Sequence, residues 1–150
     1  MDIQAIYNFV QLTDTIATSG QPLENEFSLI AQSGHKAVVN IAMHNSDDAV
    51  ENEGHIVTAL GMSYFHIPVP FDAPKIDHLR LFIQVMECFR GDKVWAHCAA
   101  NYRVSAFMYQ YLKLSYGLAS KEAKSSIFEF WNPDDVWQSI MELSREEINL

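Results

Sequence analysis

Short apolar runs alternate with amphipathic stretches along the chain, and that alternation predicts most of its elements. Residues 7–19 carry two β-like runs around Thr13-Asp14, which reads as an opening hairpin. In Ser19-Gly20-Gln21-Pro22, Gly20 permits an unusual backbone angle and Pro22 suits the first position of a helix. Leu23, Phe27, Ile30 and Ala31 then recur at helical spacing, and Gly34 marks the end. Ala37 to Ile41 is a short apolar run of the kind buried on both faces of a parallel sheet. His44 to Asp48 reads as a loop, with Ser46 or Asp47 capping a helix that runs toward Leu60 and is closed by Gly61. Met62 to Val69 reads as a strand, stopped by Pro70-Phe71-Asp72-Ala73-Pro74.

Residues 75–90 predict a helix with Leu79, Phe82, Val85, Met86 and Phe89 facing inward. Lys93 to His97 predicts a strand, and Phe107, Met108, Tyr111 and Leu112 mark a buried helix that reaches Gly117. Ser120 is placed to cap another helix toward Phe130, and Asn132-Pro133-Asp134-Asp135 opens a last one. The expected fold class is α/β: a mostly parallel central sheet of four to five strands with helices on both faces, in one domain spanning 1–150. Ligands of such sheets gather at the carboxyl ends of the strands. Asp72 and Cys98 each follow a strand directly, so both are expected on that edge.

Composition narrows the function classes. Hydrophobic residues make up 49% and charged ones 19%, ordinary for a soluble globular protein. No apolar run is long enough to span a membrane, and Met1-Asp2-Ile3-Gln4 lacks the features of a signal peptide. The expectation is a cytoplasmic protein, with a removed leader left open. A net charge of −9, with ten scattered Lys and Arg, argues against nucleic acid as a partner. The six histidines and two cysteines form none of the usual metal-ligand spacings, so neither metal nor other cofactor is expected. Cys88 reads as an inert buried thiol, and a regulatory disulfide to Cys98 would require a proximity that the sequence does not show.

The chemistry falls on Val94 to Phe107. A strand that ends in Cys98 and turns at once into a helix aims successive backbone N–H groups at one point above the sulfur, a cradle for an anion. Ala99, Ala100, Asn101, Tyr102 and Val104 would form it. Arg103 could add a planar cationic fork for a tetrahedral oxyanion. Ala99 and Ala100 keep the cradle shallow, and Asn101 tolerates a positive φ. Each residue also has a plainer reading. A cysteine ending an apolar strand is often a small core residue, Asp72 a turn residue, Ser105 a group bonded to its own helix, and Trp131 and Trp137 core aromatics rather than a substrate rim.

His97-Cys98, then Arg103 and Ser105, resembles the signature of the cysteine-dependent protein phosphatases: His-Cys, five residues, Arg, Ser or Thr. Here four residues separate Cys98 from Arg103. Either the loop is shortened by one residue, or Arg103 starts from a helical position about 100° around the axis. With Ser-Gly-Gln-Pro at 19–22, Val-Val-Asn-Ile at 38–41 and His-Ile-Pro-Val at 66–69, residues 15–115 look like a bacterial phosphatase-like domain also found fused to beta-lactamase-like hydrolases and related in fold to dual-specificity phosphatases. The resemblance implies a phosphomonoester hydrolase acting on a phosphorylated small molecule or a phosphoprotein. Cys98 would be the nucleophile and Arg103 the oxyanion holder. His97 would orient the loop, Ser105 would hydrogen-bond the sulfur, and Asp72 would be the proton donor, with Asp77 second. Two other functions fit the same loop: a rhodanese-like sulfurtransferase, whose Cys loop often has four residues before an Arg, and a non-catalytic binder of phosphate or sulfate. Physiological substrate and oligomeric state are not read from the sequence.

Overall fold

The structure, a computed structural model, describes residues 2–150. Five strands form one sheet in the order β1-β2-β5-β3-β4: β1 Val10–Gln11, β2 Ile16–Ser19, β3 Ala37–Asn40, β4 Ser63–His66 and β5 Val94–His97. β1 and β2 are the antiparallel opening hairpin; the other pairings are parallel. The helices are α1 Phe27–Gln32, α2 Glu53–Ala59, α3 Ile76–Cys88, α4 Tyr102–Tyr116, α5 Ser120–Ala123, α6 Asp135–Met141 and α7 Arg145–Ile148.

Alternation along the strands divides the core. Ala17, Val38 and Trp95 face one side, where they pack with Phe27, Ile30 and Val57 of α1 and α2. Ile16, Ala37, Val39, Val94 and Ala96 face the other, against Leu79, Phe82, Phe107 and Trp137 of α3, α4 and α6. Both faces are covered, so β5 is buried at all four residues, and its first three, Val94 to Ala96, are a continuous apolar run.

Register aligns the strand ends. Ser19, Asn40 and His97 share one level, and Asn40 pairs with His66. The segments leaving β2, β3, β4 and β5 therefore emerge side by side, and Cys98 emerges among them.

Several boundaries differ from the periodicity. A 3-10 turn, Glu24–Glu26, precedes α1, which starts at Phe27 and leaves Leu23 64% exposed. No helix starts at Ser46 or Asp47: bonds from Ser46 N–H to Met43 O and from Ala49 N–H to Ser46 O keep that stretch in turns, and α2 begins only at Glu53. Ser120 does not cap a helix reaching Phe130. α5 ends at Ala123, and Ser125 caps a separate 3-10 turn, Ser126–Glu129, through its hydroxyl. Cys88 is exposed at the last residue of α3, not buried, and both cysteines are free. α3 leads back to the start of β5 whereas Cys98 follows its end, so the two thiols lie at opposite edges of the sheet.

Candidate functional site

β5 ends at His97, and the loop Cys98 to Asn101 crosses into α4. Asn101 adopts a left-handed conformation, φ 72°, immediately before the first helical residue. Asparagine tolerates that conformation better than other residues with a Cβ. Its buried side chain turns away from the loop's open side. Nδ2 donates to Asn8 O (2.7 Å) and Thr18 Oγ1 (3.1 Å), and Oδ1 accepts from Ser105 Oγ (3.0 Å). Asn101 is thus a strut beneath the loop, where an anion contact was expected of it. Ser105 is corrected in the same way. Its hydroxyl goes to Asn101 and meets Ser125 Oγ at 3.1 Å, and no hydrogen bond joins it to the Cys98 sulfur. Val104 packs its side chain in the core, so only its backbone can serve an anion.

The loop carbonyls are bound from outside. Cys98 O faces His97 Nδ1 at 3.1 Å, Ala99 O accepts from Gln21 N–H at 3.0 Å, and Ala100 O accepts from Asn8 Nδ2 at 2.9 Å. In a planar trans peptide the carbonyl and the following N–H point opposite ways. Binding Cys98 O and Ala99 O from outside therefore turns the N–H groups of Ala99 and Ala100 to the other side, and among the described residues neither has a partner. The first-turn N–H groups of the 15-residue α4 are equally uncapped by a side chain. Unpartnered N–H groups therefore lie on both sides of the turn into α4, the kind of donor from which an anion cradle is built.

Cys98, Ala99, Ala100, Tyr102, Arg103 and Phe71 line a pocket of ≈ 300 Å³. Arg103 is the second residue of α4 and is 6% exposed. Its Nη1 donates to Val69 O (2.8 Å), and its guanidinium lies 5.8 Å from the Phe71 ring centre. Nε and Nη2 have no partner among the described residues, which leaves one edge of the fork for a ligand. Despite its position one residue early, Arg103 reaches the pocket from the first helical turn. On the far wall Tyr102 stacks on Trp131 with centroids 5.1 Å apart and planes 4° from parallel. Trp137 is wholly buried, and its indole N–H donates to Phe71 O at 2.6 Å. Arg103 and Trp137 together strap the 69–71 segment to the site.

Asp72 follows Phe71 on that segment, exposed, with no hydrogen bond or ion pair among the described residues. It does not line the pocket. Asp77 accepts from Arg80 Nη1 (2.7 Å) within the first turn of α3, a helix-start role.

Beneath the loop lies a pair that sequence reasoning missed. Glu53, the first residue of α2, places Oε2 2.7 Å from His97 Nε2, with both side chains buried. Gln21 Nε2 donates to the other oxygen at 2.8 Å. Burial pushes the Glu53 carboxyl up, but the imidazole and the Gln21 amide outweigh it and hold it below the usual carboxylate range. His97 thus links Glu53 to the carbonyl of Cys98. An acid heading a helix reads as a dipole partner, and nothing local signals a histidine 44 residues away. Gln21 did carry a signal, through the Ser-Gly-Gln-Pro segment; Asn8 carried none.

No protein-family model and no curated protein matches the chain. Solved structures do. A DUF442 protein from Shewanella putrefaciens CN-32, described as a candidate phosphatase, is 33% identical with TM-score 0.84, covering 98% of this chain and 94% of that one. PTPMT1 in complex with PI(5)P superposes at TM-score 0.79 and 15% identity, over 95% of this chain and 97% of that one. The core catalytic domain of the PP-IP phosphatase SIW14 from S. cerevisiae does so at 0.72 and 14%, over 96% and 90%. The last two share the fold alone. The first, matched over nearly its whole length, shows that the chain belongs to the DUF442 family, built on the fold of the cysteine-dependent phosphatases.

Proposed function

We propose that the protein is a phosphomonoester hydrolase that works through a phosphocysteine on Cys98. The observation that carries this reading is that Cys98, Arg103, Ala99 and Ala100 line one pocket, while Nε and Nη2 of Arg103 and the N–H groups of Ala99 and Ala100 have no partner among the described residues. In the first step the Cys98 thiolate attacks phosphorus, an S–P bond forms, and the P–O bond to the leaving alcohol breaks as that oxygen takes a proton. In the second step water attacks phosphorus, the S–P bond breaks, and phosphate and thiolate are released. Arg103 and the loop N–H groups hold the non-bridging oxygens throughout, supplying electrostatic stabilisation.

Asp72 is the proposed proton donor, since it sits free on the segment whose preceding residue, Phe71, already lines the pocket. A small movement of that segment, pivoting on the Arg103 and Trp137 contacts, would bring it in. Among the described residues Arg103 is the only Lys or Arg lining this pocket, whose walls are otherwise Phe71, Tyr102 and small residues, with Phe130 61% exposed beside Tyr102. Such a wall suits one phosphate on an apolar, flat carrier and gives no second cation for the polyanionic groups named for PTPMT1 and SIW14.

The test is phosphate release from an aryl phosphate by wild type, Cys98→Ser and Asp72→Asn. Loss of turnover in Cys98→Ser, with the basic limb of the pH profile altered in Asp72→Asn, is the expected result. Equal turnover by wild type and Cys98→Ser would overturn the reading. Oxyanion binding with no turnover by wild type would reduce the protein to a binder.

A further inference from the structure

We infer that Asn8, in the N-terminal turn, is a positioning residue of the anion loop. Asn8 and Asn101 form a reciprocal clasp: Asn101 Nδ2 donates to Asn8 O at 2.7 Å, and Asn8 Nδ2 donates to Ala100 O at 2.9 Å. Both residues are left-handed, with φ 52° and 72°. Neighbouring bonds extend the clasp. Gly20 N–H donates to Tyr7 O at 2.8 Å, and Gly20 pairs with Ala100 as an antiparallel bridge. The turn is itself fixed to the core, with Ile6 2% exposed and Phe9 stacked on Trp95 at 5.5 Å.

The clasp acts at the point where the loop becomes a helix. Asn8 holds the carbonyl of the Ala100–Asn101 peptide, and a rigid peptide plane fixes both its ends together. That plane sets where the left-handed Asn101 begins α4, and so where the first-turn N–H groups and Arg103 point. The loop has no glycine to make this turn by itself. The N-terminal turn supplies from outside what the loop lacks within, and Asn8 reaches the substrate only through Ala100 and Asn101.

This inference rests on the anion-cradle reading, so its test reads anion binding apart from turnover. Asn8→Asp keeps size and left-handed tolerance but sets a carboxylate, which cannot donate, against Ala100 O. Asn8→Gly keeps the backbone conformation and removes the side chain. Titration of each full-length protein with inorganic phosphate and with sulfate gives Kd, thermal melting gives Tm, and peptide mapping of iodoacetate labelling separates Cys98 from the exposed Cys88. We expect Kd to rise about tenfold or more in both variants, equivalent to one hydrogen-bond-sized contribution, with Tm close to wild type and the Cys98 labelling rate changed. Unchanged Kd and Cys98 labelling in Asn8→Asp and Asn8→Gly, whatever their Tm, would overturn the inference. So would a wild type that binds neither anion. Wild type that binds anions, loses that affinity in the variants and never releases phosphate would uphold the clasp and defeat the hydrolase reading alone.

Discussion

Glu53 carries the strongest residue-scale prediction. It lies outside the pocket yet holds His97, whose other ring nitrogen meets the carbonyl that begins the loop. Glu53→Gln keeps the shape and deletes the charge. A buried polar group that loses its complement costs about 1–3 kcal/mol, so a matching drop in unfolding free energy is expected. The pH response follows from the sign of the shift. The folded carboxyl sits low, so its stabilisation is complete above the unfolded Glu value of about 4.3 and is lost as pH falls through the folded one. Chemical denaturation from pH 7 to pH 3 should show a shallower acid loss in Glu53→Gln than in wild type; parallel curves would refute the pairing. Cys98, Arg103 and His97 were legible because they stand in one motif. Glu53 and Asn8 were not, because a partner 44 or 92 residues away leaves no local trace.

At the scale of elements, the site is built where the extension of β2 touches the loop after β5. Sequence reading gives Gly20 a role in an unusual backbone angle, but its φ is not positive; close approach is what requires it. A Cβ there would lie 2.5 Å from Tyr7 Cδ2 and 2.7 Å from Ala99 O. The exposed tyrosine ring can swing aside, whereas Ala99 O is loop backbone already bonded to Gln21 N–H. Gly20→Ala should therefore displace the loop and cut kcat by more than tenfold, with a stability loss of about 1–3 kcal/mol, the usual cost of overpacking. Steady-state kinetics and denaturation check both, and unaltered kcat would show that the loop tolerates the shift. Strands and long helices were legible from periodicity, as α3 and α4 show. The starts of α1 and α2 were not, because 3-10 and turn bonds near Glu24 and Ser46 compete with helix on terms that periodicity does not encode.

For the whole molecule, the parallel register delivers four strand ends to one edge, and a hydrophobic core packs each face of the sheet behind it. The fold class was open to sequence reading because strand and helix patterns alternate; strand order was not, since β5 inserts between β2 and β3 without a local signal. No described helix is long and apolar enough to cross a membrane. Global stability should also fall in mild acid through His35, which packs edge-on against Trp95 and bonds Ile30 O through Nδ1. Burial holds its pKa below the ordinary value. The unfolded chain therefore takes up a proton near pH 6.5 that the folded one resists, and stability declines below that pH by at most about 1.4 kcal/mol per pH unit. His35→Phe should flatten the decline between pH 6.5 and 5, and an unchanged slope would contradict this assignment.

The central claim is a covalent step at Cys98, and rapid acid quench during turnover of an aryl phosphate, followed by mass analysis of the Cys98 peptide, tests it directly. The account predicts a phosphoryl adduct on Cys98 that forms with a burst of released alcohol, forms more slowly in Asp72→Asn, and is absent from Cys98→Ser. Phosphate release at the wild-type rate with no adduct on Cys98, or a persulfide there formed from thiosulfate in its place, would contradict it.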